Sequence, residues 1–285
     1  MDWEYQLISD YMTIEKVLQT VAPECLERTG PNQISDTEVL SIYFWGIKSG
    51  CRDLSATYRL TASYLKDWYP NLPCYQQYDK RLNRLTEILE LIFGVLSLAD
   101  RKNTDVAVID SMPIIVAGAK RSSRAKVAKN LCAKGFCSSK NMYYYGCKLH
   151  LVVNGDRNKA PYDMLLGDIT PANDHDINFL KKNHLAINAK SIYGDKAYIS
   201  ESLKKEIKRK GSALVCPPKK PWKGELNLGQ HLLSSLISGT RQAIETTFGW
   251  LEARTGISKA NKARSEQGLL RHIFGSLVAV GLNCA

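Results

Sequence analysis

Apolar residues recur at helical spacing over the first hundred positions and then give way to short strand-like runs. Leu7, Ile8, Tyr11, Ile14, Val17, Leu18 and Val21 form one helical stripe, so residues 1 to about 30 read as an amphipathic helix broken at Gly30-Pro31. Ser35-Asp36-Thr37-Glu38 has the form of a capping box and opens a second helix through Val39, Leu40, Ile42, Tyr43 and Ile47, ended by Gly50. A third helix is expected from Leu54 to Trp68, closed by Pro70. A fourth opens after Pro73 and runs through Tyr75, Tyr78, Leu82, Leu85, Ile88, Leu89 and Ile92. Short helices joined by tight turns suit a helix-turn-helix, in which the start of the second helix reads the major groove. Arg81 and Arg84 on that helix are then candidates for DNA contact, and the alternative is a helical bundle with Tyr75 and Tyr78 in its core.

From residue 104 the period changes. Asp105 to Asp110 reads as a strand ending on a carboxylate, followed by Pro113-Ile114-Ile115-Val116. The stretch from Ala117 to Met142 lacks periodicity and reads as a mobile, exposed loop. Tyr143 to Val153 and Tyr162 to Leu166 form an expected hairpin across Asn154-Gly155-Asp156. A helix from Pro171 through Leu180 follows, then a strand at 191–194 ending on Asp195, a basic helix from Glu201 to Lys210, and a strand from Ser212 to Cys216. The last third is helical over about 232–253 and 266–282. The expected class is therefore α/β with a mixed sheet, antiparallel first and extended by parallel strands through crossover helices. It is preceded by an all-helical N-terminal part, giving domains at 1–100 and 101–285.

Composition adds the partner. The chain of 285 residues carries a net charge of +11, which points to a polyanion, most simply nucleic acid. Between Ala117 and Met142, Lys120, Arg121, Arg124, Lys126, Lys129, Lys134 and Lys140 stand with no acidic residue, an imbalance that favours phosphate contact over a merely solvated charge run. Pro217 to Lys223 is a stiff basic loop in which Lys219 and Lys220 precede the single aromatic Trp222. The N-terminus has no secretory pattern, and the eight scattered cysteines read as reduced thiols, so a cytoplasmic, nucleoid-associated protein is expected. Cys132, Cys137, Cys147 and His150 fit no standard zinc spacing.

Three carboxylates stand where chemistry is expected. Asp110 and Asp195 end strands, and Glu245 lies on a helix four residues after Arg241, on the same face. Mg²⁺ takes oxygen ligands, and a pair of such ions activates the attacking oxygen and stabilises the leaving one in an in-line displacement at phosphorus. Asp168 also follows an apolar strand and rivals the pair, whereas Asp105 begins its strand and Asp174 or Asp176 suits a helix start.

Four ordered motifs carry a resemblance. Val106 to Ser111, Tyr145-Gly146-Cys147-Lys148-Leu149-His150, Tyr193-Gly194-Asp195-Lys196-Ala197-Tyr198 and Arg241-Gln242-Ala243-Ile244-Glu245-Thr246-Thr247-Phe248 resemble the motifs of DDE transposases of bacterial insertion sequences. The likeness is strongest to the insertion-sequence 982 family, with families 4 and 5 behind it, and Pro73 to Leu85 resembles their DNA-binding segment. The resemblance implies an RNase H-like catalytic core with a mixed sheet flanked by helices, after a helical DNA-binding domain. It implies an acidic triad of Asp110, Asp195 and Glu245 holding two Mg²⁺ ions, or Mn²⁺, with Arg241 near a DNA phosphate. Lys148, Arg121, Arg124, Lys129, Lys140, Lys219, Lys220, Trp222, Arg81 and Arg84 complete the expected DNA-contacting set. The implied reaction is cleavage at the element's ends and strand transfer into target DNA by a homodimer or larger assembly. A nuclease or resolvase without strand transfer, and an inactive remnant that only binds DNA, are the alternatives. Related families often carry lysine seven residues after the glutamate, where this chain has Glu252.

Overall fold

The computed structural model describes residues 3–26, 30, 33–99, 104–138, 140–155, 163–218, 225 and 227–282. Contacts divide the chain into two compact units, Met1–Leu96 with Leu251–Ala285, and Ser97–Trp250.

The first unit is built from helices. They are α1 (Trp3–Val21), α2 (Asp36–Lys48), α3 (Leu54–Tyr64), α4 (Tyr75–Arg84), α5 (Thr86–Ala99, whose last residues pass into the second unit), the end of α8 (Leu228–Thr255) and α9 (Glu266–Gly281). α1 is shorter than its pattern predicts because Pro23 supplies no amide donor and a 3-10 turn, Pro23–Leu26, replaces the helix. The capping box at Ser35 is present in full, with the Glu38 amide donating to the Ser35 hydroxyl and the Ser35 amide to the Glu38 carboxylate. α2 is buried almost all round, from Val39 to Ile47, and packs on α1, α3 and α9. The helix expected from Tyr75 to Ile92 is two helices. They separate at Leu85, where the Thr86 hydroxyl donates to the Asn83 carbonyl at 2.8 Å.

The second unit holds one six-stranded mixed sheet. Its strands are β1 (Thr104–Ala117), β2 (Ala133–Cys137), β3 (Met142–Asn154), β4 (Met164–Pro171), β5 (Ala189–Tyr193) and β6 (Ala213–Val215), in the order β2-β3-β1-β5-β6 with β4 also on β3. β1, β2, β3 and β4 pair antiparallel, and β5 and β6 extend the sheet in parallel. α6 (Asp176–Asn183) and α7 (Glu201–Arg209) cover one face, where Phe179, Leu180, Leu203 and Ile207 pack on Ala107, Ile109, Val152 and Ile192.

Three expectations are corrected here. β1 does not end at Asp110. It continues through Pro113, whose missing amide is tolerated because the paired length against β5 stops at Val108. The stretch from Ala117 to Met142 is not a free loop throughout, because β2 pairs with β3 and Cys132 and Cys137 are buried beside it. α6 starts at Asp176 rather than Pro171, since β4 runs on to Pro171. Among the described residues, no helix is long and apolar enough to cross a membrane.

Candidate active site

β1 and β5 run parallel, and their last register pair is Val108 with Tyr193. Asp110 and Asp195 each follow two residues later, Asp110 still within β1 and Asp195 just beyond the end of β5. Adjacent strands lie about 5 Å apart, and the charge of Asp195 is close enough to bear on Asp110. Asp195 is fixed at the start of a 3-10 turn, Lys196–Tyr198, where its Oδ1 accepts the Ala197 amide at 2.8 Å.

Asp110 is held on the opposite sheet face from α6 and α7. Its Oδ2 accepts Nη2 of Arg241 on α8 at 2.6 Å, and its Oδ1 accepts the Ser111 amide at 2.8 Å. Ser111, one residue on, points the other way and donates to Asp176 of α6 at 3.2 Å. Burial pushes the Asp110 carboxyl above the usual carboxylate range; the Arg241 charge and the Ser111 amide pull it back, and the Asp195 charge adds to the rise. Glu245 is exposed one helical turn after Arg241.

Among the described residues, Nε of Arg241 and the Tyr198 hydroxyl, both buried at this site, find no hydrogen-bond partner. Burial holds the Tyr198 phenol far above its ordinary range, and the charges of Asp176, Asp110 and Asp195 add to it. Tyr198 and Asp176 were not singled out by the sequence. Tyr198 stands in the same motif as Asp195, and Asp176 looked like an ordinary helix start. In the structure the Asp176 carboxylate also accepts Nζ of Lys148 at 2.8 Å, and that ammonium donates to the Asp174 carbonyl at 2.7 Å.

The rival carboxylates have other work. Asp168 accepts the Ile169 amide and lies 3.1 Å from Nζ of Lys182 on α6. Asp105 pairs with Lys190 at the exposed opposite end of the strands. Asp174 accepts the His175 amide and Asn178 Nδ2 at the start of α6. His150 stacks on Phe179 at 4.6 Å and bonds Thr170, and burial lowers its pKa to about 4, so it stays neutral in the sheet.

The remaining expected DNA-contacting residues divide by exposure. Arg121, Arg124, Lys129 and Lys140 are exposed, as is Arg84. Arg81 is engaged inside the helical unit with Asp36 and the Ile34 carbonyl. Lys219, Lys220 and Trp222 lie outside the described residues. Tyr78 is core, its hydroxyl donating to the Val39 carbonyl at 3.2 Å, whereas Gln76, Gln77, Lys80 and Arg84 on α4 face solvent. Glu252 has a local role: its carboxylate accepts the Ser258 amide at 3.0 Å and holds the turn after α8.

Among the described residues, no three His, Cys, Asp or Glu side chains come together as a group able to hold a metal. The Asp110–Asp195 pair nonetheless offers the oxygen donors a hard divalent cation takes, and a cation, the Arg241 guanidinium, already stands against Asp110.

A family profile described as a transposase DDE domain matches residues 100–265, more than half of the chain. The chain belongs to this DDE transposase family, whose members are nucleic-acid-cleaving enzymes acting on DNA. No curated protein matches it.

Proposed function

We propose that this is the transposase of a bacterial insertion sequence of the 982 type, with an RNase H-like core carrying the triad Asp110, Asp195 and Glu245. The observation that carries this reading is that Asp110 and Asp195 each stand two residues past the last register pair of the parallel strands β1 and β5, with Arg241 and Glu245 a turn apart on the helix whose Arg241 contacts Asp110. The sheet order, with antiparallel β1, β2 and β3 extended by parallel β5 and β6, supports the RNase H-like assignment.

In the proposed reaction water cleaves a phosphodiester at the element's end, and the freed 3′-hydroxyl then attacks a target phosphodiester. Asp110, Asp195 and Glu245 would hold two Mg²⁺ or Mn²⁺ ions, which supply charge for the attacking and leaving oxygens. Asp110 and Asp195 give rigid oxygens because each is fixed by a backbone amide, of Ser111 and Ala197. Glu245, on the helix that carries Arg241, would complete the set from a less rigid position. Arg241 neutralises Asp110 in the free protein and is the group placed to take a DNA phosphate when the carboxylate is used elsewhere. The exposed basic residues from Lys120 to Lys140 grip the DNA backbone, and the solvent-facing start of α4 reads sequence in the element's ends. Two ends must be joined, so the active species is at least a homodimer, working in the cytoplasm on nucleoid DNA.

The test is cleavage and joining of labelled DNA carrying the element's own ends, with Mg²⁺, for wild type, Asp195→Asn and Glu245→Gln. Joined products from wild type alone, with DNA binding retained in both variants, are expected. Cleavage without joining would make the protein a nuclease, and binding without any chemistry would leave a DNA-binding remnant and no role for the triad.

A further inference from the structure

The edge formed by β2 and β3 carries an arrangement that the cleavage chemistry does not use. Phe136 and Tyr143 are directly opposite across the two strands, with ring centroids 5.1 Å apart. Both stay exposed, at 49% and 55%. Nζ of Lys134 lies over the Tyr143 ring at 5.1 Å from its centroid. The other side of this edge is tightly packed. Gly135 faces inward where an added Cβ would fall 2.4 Å from the Ala172 carbonyl oxygen, and Tyr144 and Cys137 are buried against Ala172. Two large rings are thus held in water on a rigid backing, although burying them would have been favourable.

The surroundings identify what would cover them. Lys120, Arg121, Arg124, Lys126, Lys129, Lys134 and Lys140 are all exposed, and no Asp or Glu occurs between Ala117 and Met142. Exposed rings within an acid-free basic segment match the chemistry of a nucleic-acid strand with unpaired bases, whose phosphates meet the cations while a base stacks on the ring. A duplex keeps its bases stacked on each other and offers such rings nothing but its backbone.

Register fixes where this surface lies. Asp110 is opposite Leu151 on β3, and residues 151, 149, 147, 145 and 143 share one sheet face. Tyr143 and its partner Phe136 are therefore on the same face as Asp110, eight residues along β3, or up to about 27 Å at strand spacing. Eight strand positions separate the rings from Asp110, as a contact to a strand leading away from the cut phosphate would require.

We propose that Phe136 and Tyr143 form a stacking platform for unpaired bases of a DNA strand leading away from the Asp110–Asp195 pair. The inference takes DNA as the partner and is independent of which carboxylates act. The experiment compares full-length wild type with Phe136→Ala/Tyr143→Ala for binding of labelled single-stranded oligothymidylate and a blunt duplex of equal length, at fixed salt. Single-strand affinity is expected to fall at least about fivefold for each base released, with duplex affinity unchanged. Phe136→Leu/Tyr143→Leu, which keeps apolar cover without aromatic faces, should show the same selective loss, and Tyr143→Trp should bind and have its fluorescence quenched by the single strand. An equal fall on both DNAs, unchanged single-strand affinity, or an unquenched tryptophan would overturn the platform. If wild type binds neither DNA, the DNA-partner reading itself fails, a separate result.

Discussion

Removing the charge of Arg241 isolates what the carboxylate site costs the fold. In Arg241→Met, Asp110 loses the guanidinium that contacts it at 2.6 Å, while the methionine fills most of the vacated space. The two side chains are 20% and 21% exposed, close to buried but reached by some water. Opposite charges about 4 Å apart attract by about 4 kcal/mol at an effective dielectric near 20. Breaking one partner from a buried pair costs about 3–5 kcal/mol, whereas exposed pairs contribute about 0.2–1. The one-fifth exposure places the expected loss at about 2–3 kcal/mol.

The pH dependence tests the cause. Burial already raises the native Asp110 carboxyl above its ordinary value of 3.8, and losing Arg241 raises it further. A carboxyl with a raised native pKa gives stability that is present below the unfolded pKa and lost as pH rises through the native one. The penalty of the variant is therefore greatest at pH 7 and shrinks as pH falls through the native pKa of Asp110. Urea denaturation in chelator, followed by circular dichroism across that range, measures it, with Asp110→Asn/Arg241→Met as the reference. The double variant should recover most of the loss at pH 7, because no buried charge remains. A penalty that does not change with pH, or a double variant as unstable as the single one, would refute the electrostatic account and leave packing as the cause.

Two other predictions follow from the same geometry. Gly146→Ala places a Cβ 2.0 Å from the Ile114 carbonyl oxygen, backbone against backbone between β3 and β1; the cost should reach about 3 kcal/mol and lower Tm by about 6–12 °C, read by a thermal melt. Arg121→Ala/Arg124→Ala/Lys129→Ala should weaken binding to all DNA sequences alike and reduce the slope of log affinity against log salt by about 3, as a salt titration of duplex binding will show.

Local rules written into the sequence carried far. The capping box at Ser35, the strand ending ahead of Asp195 and the strand–turn–helix run from Ala189 to Arg209 follow from neighbours in the chain and were legible as such. The motif around Asp195 and that around Glu245 pointed to a DDE transposase, as the family match bears out. What the sequence left undecided depends on partners distant in the chain. β2 has too little periodicity to be seen alone and exists because β3 supplies its hydrogen bonds. The two tyrosines of α4 look equivalent in sequence, yet Tyr78 is closed inside against Val39 while Tyr75 stays at the surface. Arg81, Lys148 and Arg241 are all cations with the same apparent promise of a phosphate. Each is engaged by a carboxylate 45, 28 or 131 residues away. The chain by itself determined which residues could do chemistry, because residue type and short-range spacing are local. Which charges are already neutralised, and which remain free for DNA, was decided only by tertiary packing.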